Sequence, residues 1–98
     1  MNRRDGTGGS VRINILGKHW NLRFARNLKN RGDCDPPAAP GKEIRVESSL
    51  RDEERLEVLI HELAHAGMWN LDEEFVDQFA RDAARALWRL GYREQRRN

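Results

Sequence analysis

Hydrophobic and polar positions change period twice along this 98-residue chain. Val11, Ile13 and Ile15 alternate with Arg12 and Asn14, the period-two pattern of a strand with one buried face. Gly17-Lys18 has the composition of a two-residue hairpin loop. Trp20, Leu22 and Phe24 then alternate with Asn21 and Arg23 in a second strand. A lone hairpin is not stable in water, so its apolar face must lie on a helix. Residues 25–41 carry no period and hold all three prolines, which predicts a long connection. Ile44 and Val46 then flank Arg45 in a third short strand spanning 43–47.

From Ser49 onward the period becomes helical. Ser49 is a candidate N-cap, Asp52 three residues on approximates a capping box, and Asp52, Glu53 and Glu54 suit a helix N-terminus. A helix is predicted over 50–66, with Gly67 as its stop. A second is predicted from an Asp72 N-cap to Leu90, ending at Gly91. The expected fold class is α+β: a small three-stranded, antiparallel-type sheet packed on two helices. Residues 1–10 have the composition of a flexible leader, 11–92 form one domain, and 93–98 are a basic tail.

Composition narrows this picture only slightly. Charged residues make up 35% of the chain but nearly cancel, leaving a net charge of +2. The pI near 9.1 reflects mostly Arg3, Arg4, Arg93, Arg96 and Arg97 at the two ends. Elsewhere basic and acidic residues are interspersed, so nucleic-acid binding is a minor alternative. No apolar run is long enough for a membrane span. The single cysteine, Cys34, allows no intrachain disulfide and fits a cytoplasmic setting.

One stretch carries chemistry. His61-Glu62-Leu63-Ala64-His65 has the H-E-x-x-H spacing that puts two imidazoles on one helix face, one turn apart. Both can reach a single metal ion, and Glu62, rotated to the side, is the candidate general base. With three His and nine Glu in the chain, a shuffled sequence would contain the pattern in roughly 1% of cases. The surroundings sharpen it: Val58, Leu59, Ile60, Leu63, Ala64, Ala66 and Met68 make the helix apolar almost all round. Polar side chains inside such a helix need partners, and a Zn2+ ion supplies one. A hydrogen-bonded His pair without metal is the bland alternative.

A catalytic zinc usually takes three protein ligands and keeps one open position. No His follows His65, which leaves Asp72, Glu73, Glu74 and Asp77 on the next helix. There Val76, Ala83, Leu87 and Leu90 form the main apolar stripe, opposite Gln78, Arg81, Asp82, Arg85 and Arg89. Glu74 falls on the polar side. Glu73 and Asp77 fall one turn apart on the border, in line with Ala80 and Ala84, whose small side chains let the His-bearing helix approach. Glu73 is therefore the favoured third ligand, with Asp77 orienting one imidazole; the reverse assignment stays open.

His61-Glu62-x-x-His65 followed by Glu73-x-x-x-Asp77 resembles the gluzincin metallopeptidases. The continuation Gln78-Phe79-Ala80 is similar to ImmA/IrrE-type peptidases, which act on repressors. The run 59–66 also looks like SprT-type proteases, but those use a later His that this chain lacks. From Gly32-Asp33-Cys34-Asp35 through Trp88-Arg89-Leu90-Gly91-Tyr92 the chain resembles minimal zincin-like proteins of bacteria and phages. The resemblance implies a zincin-like fold and a zinc endopeptidase acting on a peptide or protein. It also implies an extended substrate lying along a sheet edge strand, for which Ile44, Arg45 and Val46 are the candidates. Larger gluzincins stabilise the oxyanion with a His or Tyr after the glutamate helix; here Tyr92 and His19 are the candidates. Cys34 is a candidate fourth ligand, a loop thiolate closing the open position and keeping the enzyme latent. The main alternative to an enzyme is a non-catalytic, zinc-stabilised protein-binding module.

Overall fold

A computed structural model describes residues 9–95 of the chain. It is α+β: strands β1 (Ser10–Ile15), β2 (Lys18–Ala25), β3 (Gly32–Cys34) and β4 (Glu43–Glu47) precede helices α1 (Asp52–Gly67) and α2 (Glu73–Arg89). The expected leader lies outside the described residues as far as residue 8, but Ser10 belongs to the sheet and Gly9 is hydrogen-bonded to it. Ser10 pairs with Arg23, and the Gly9 carbonyl accepts from the Phe24 N–H.

The sheet has four strands, in the order β1-β2-β4-β3, not the expected three. It is mixed: β1–β2 and β3–β4 are antiparallel, whereas β2 and β4 run parallel. The long connection supplies the extra strand. Three residues are too few to show alternation, and their composition, Gly-Asp-Cys, is poor in β-formers. β3 therefore takes the edge and β4 becomes central. Arg45 locks the two together, reaching Asp33, Asp35 and Glu43 from one guanidinium, with 2.8 Å to Asp35.

Three local expectations change. Ile15 pairs with Lys18, so the hairpin loop is Leu16-Gly17; both have positive φ, the signature of a type I′ turn. Leu16 hid this, because a leucine is read as part of the strand. The α1 N-cap is Arg51, without a side-chain cap bond. Ser49 instead donates its hydroxyl to Glu47. Gly67 is the last residue of α1 and lies within the helix, with Met68 as its C-cap. Asp72 does cap α2, accepting from the Phe75 N–H at 3.2 Å.

The core lies between the sheet and α1. Trp20, Ile44, Val46, Leu50, Val58 and Ala66 are buried there, with Ile13, Ile15, Leu22, Phe24, Cys34, Leu59 and Leu63 packed around them. Arg55 crosses the N-terminal end of this layer, its guanidinium 3.9 Å from the Phe24 ring centroid and paired with Glu94. Part of the expected tail is thus tied down. Among the described residues, α2 packs on α1 and on no strand. It does so through Val76, Ala80 and Ala84, so the contact line lies beside the expected stripe, and Leu90 of that stripe is 74% exposed. This arrangement puts the histidine face of α1 between β3 and the start of α2.

Candidate metal centre

The turn after α1 reverses the chain within a few residues, with Met68 N–H on Ala64 and Leu71 N–H on Met68. The two helices then run antiparallel, so His65 faces Glu73 and His61 faces Asp77. His61 Nε2 and His65 Nε2 lie 3.1 Å apart. The Glu73 carboxylate straddles them, one oxygen 3.2 Å from each nitrogen. Asp77 Oδ1 stands 3.2 Å from His61 Nδ1, on the far side of that ring. The ring thus points its Nε2 into the cluster and its Nδ1 towards the Asp77 carboxylate.

The His61–His65 separation and the approach of each Glu73 oxygen to one imidazole are of the size that ligands of one zinc ion take. Bonds of roughly 2.0–2.1 Å in a tetrahedron place ligand atoms about 3.3 Å apart. One atom from each of His61, His65 and Glu73 can be chosen with all three within 4.8 Å of one another. The two half-buried imidazoles and the exposed Glu73 are neutral-nitrogen and carboxylate donors, a set suited to a divalent ion of the zinc type.

Glu62 sits beside the cluster, under β3. It is 6% exposed, and its pKa is raised to about 7, first by burial and then by the charges of Asp33 and Glu73. A bound dication would pull this value back down. Gly32 makes the close approach possible: a Cβ there would lie 2.9 Å from Val58 Cγ1, 3.0 Å from the Arg45 carbonyl and 3.2 Å from Glu62 Cγ.

A cleft of about 400 Å³ opens over the cluster, lined by Asn30, Arg31, Gly32, Asp33, Glu57, Val58, His61, Glu62, His65 and Glu73. Sequence reasoning missed its β3 wall. Glu57 was findable, since Glu57, His61 and His65 are spaced by four and share one helix face. Asn30 and Arg31 precede a strand that the pattern did not show.

No protein family, curated protein or solved structure matches this chain.

Several expected site residues lie elsewhere. Ile44 and Val46 are fully buried, and β4, which carries them with Arg45, is a central strand, so this segment offers no free edge to a substrate. The edge beside the cleft is β3. Tyr92 follows the far end of a helix roughly 25 Å long that starts at the cluster, too distant to stabilise an oxyanion there. His19 alternates with the buried Trp20, which puts it on the sheet face away from α1, exposed to solvent. Cys34 faces the core and does not join the metal-ligand cluster. Its thiol donates to the Asp35 carbonyl at 3.3 Å. Burial, then Glu62, Asp35 and Asp33, push its pKa up to about 12 against the pull of Arg45, which opposes a ligating thiolate.

Proposed function

We propose that this chain is a minimal zincin-like, zinc-dependent metallopeptidase of gluzincin type. The observation that carries the proposal is the convergence of His61, His65 and Glu73 at 3.1–3.2 Å beside a buried Glu62. His61, His65 and Glu73 would hold the ion, and Asp77 would fix the tautomer and orientation of His61. When bound, zinc acidifies water and polarises the scissile carbonyl. The remaining work belongs to the chain. Glu62, one residue round the helix from His61, accepts the proton of the attacking water at its carboxylate and delivers it to the leaving amine nitrogen. β3 offers a free edge beside the cleft, and an extended peptide would add there through backbone hydrogen bonds. Among the described residues, no helix is long and apolar enough to cross a membrane. The lone thiol of Cys34 accords with a cytoplasmic protein.

A second reading is a zinc-stabilised binding module without turnover. The placements of His19 and Tyr92 favour it, because neither reaches the cleft. Asn30 and Arg31 line the cleft and could donate to an oxyanion, although Arg31 is paired with exposed Glu54 at 2.8 Å. The test is cleavage of a quenched-fluorescence peptide library by zinc-loaded wild type and Glu62→Gln. The proposal expects turnover by wild type and a loss of at least about 100-fold in the variant, with zinc retained. Undiminished turnover in Glu62→Gln would refute the assigned base. A metal-loaded wild type that cleaves nothing would leave the binding module.

A further inference from the structure

A strip of α2 beside its contact with α1 is apolar along its length, and its three large side chains are exposed. Phe75 is 56%, Phe79 52% and Leu90 74% exposed. The two phenyl rings stack on each other, centroids 6.2 Å apart and planes within 8°. At one residue per 100° of helix, positions 75, 79, 83, 86 and 90 fall within a sector of about 80°. They read Phe, Phe, Ala, Ala, Leu. This ribbon lies on one side of the Val76–Ala80–Ala84 contact line with α1. Glu73 and Asp77 lie on the other, so the ribbon and the candidate metal centre are separate surfaces.

We propose that this ribbon is a twofold interface through which two copies of the chain pair their α2 helices antiparallel. Three features select a second copy as the occupant. The first is shape. In an antiparallel pair centred between residues 82 and 83, Phe75 meets the partner's Leu90. Phe79 meets the partner's Ala86, a large side chain over a small one, and Ala83 lies near the axis, where the helices must come closest. The second is charge. The flank beside the ribbon carries Glu74 near its N-terminal end, Arg81 and Asp82 side by side at its middle, and Arg85 and Arg89 towards its C-terminal end. An antiparallel pair brings Glu74 close to the partner's Arg89 at each end of the seam, whereas a parallel pair would set Glu74 against Glu74 and Arg89 against Arg89. The third is area. Phe75, Phe79 and Leu90 leave roughly 350 Å² of apolar surface in water. An interface about two-thirds apolar built around them would cover roughly 600 Å² per copy, or about 1,200 Å² in total, at the lower edge of specific interfaces. The chain's own ends are poor occupants, since residues 1–8 hold one large apolar side chain, Met1, and residues 96–98 hold none.

The test is sedimentation velocity of the full chain across roughly 1–200 µM, the range in which a small interface of this kind should associate. Wild type is expected to shift towards twice the 11.4 kDa chain mass as concentration rises. Phe79→Glu, at an exposed position, should remain at the single-chain mass with unchanged circular dichroism. Arg89→Glu should weaken the dimer, and adding Glu74→Arg should restore it, which a general folding defect would not do. A wild type that stays monomeric throughout would overturn the proposal. So would a Phe79→Glu protein that dimerises as wild type does, or a Glu74→Arg/Arg89→Glu pair without recovery.

Discussion

Glu62 and Cys34 show how position decides the chemistry of a side chain. Both lie in the layer between β3 and α1, and burial raises the pKa of each. Glu62 still borders the cleft, and a carboxyl poised near neutrality is suited to moving a proton. Cys34 turns into the core, where its pKa of about 12 leaves almost no thiolate at pH 8. Iodoacetamide should therefore modify native Cys34 about three orders of magnitude more slowly than a thiol of pKa 9.0. The shift acts in one direction: labelling stays slow until the pH approaches 12, or until denaturant releases the thiol. Mass spectrometry of a time course, with and without guanidinium, checks this. Rapid labelling of the folded protein would contradict the placement of Cys34.

At the scale of elements, the candidate site depends on how close β3 comes to α1. Gly32 sets that distance, and two of the three atoms its missing Cβ would meet are the Val58 side chain and the Arg45 backbone carbonyl. The carbonyl cannot turn aside, so Gly32→Ala must push the edge strand outward. A cost of about 1–3 kcal/mol is expected, read as a lower melting temperature. An unchanged melting temperature would show that β3 does not press on the helix. This strand was also the least legible part of the fold. The hairpin and both helices show in the sequence because each repeats its apolar period, and β4 shows through Ile44 and Val46 on either side of Arg45. β3 owes its position to Arg45, which gathers Asp33, Asp35 and Glu43 across the strands, and no local pattern announces a long-range ion cluster. Missing it made β4 look like an edge. The His61–His65–Glu73 cluster was legible for the opposite reason: His61 and His65 share a face by spacing, and Asp72 fixes where the Glu73 helix begins.

The whole molecule is one sheet–helix layer with a second helix laid on its back. The hydrophobic core ends at α1, and α2 adds Val76, Ala80 and Ala84 but no contact with the sheet. Small residues give close approach but bury little area, so the helix pair leans on other ties. One is Glu94, beyond α2, which pairs with Arg55 of α1 at 2.7 Å. The other would be the ion, since His61 and His65 come from one helix and Glu73 from the other. Metal binding and the docking of α2 should then be a single event, and zinc should raise the melting temperature. The most direct measurement of this account is zinc content and zinc-dependent melting temperature for wild type and Glu73→Ala. One zinc per wild-type chain and a rise in melting temperature on loading are expected, with loss or marked weakening of both in the variant. A folded wild type that binds no zinc, or a Glu73→Ala protein that binds it undiminished, would contradict it.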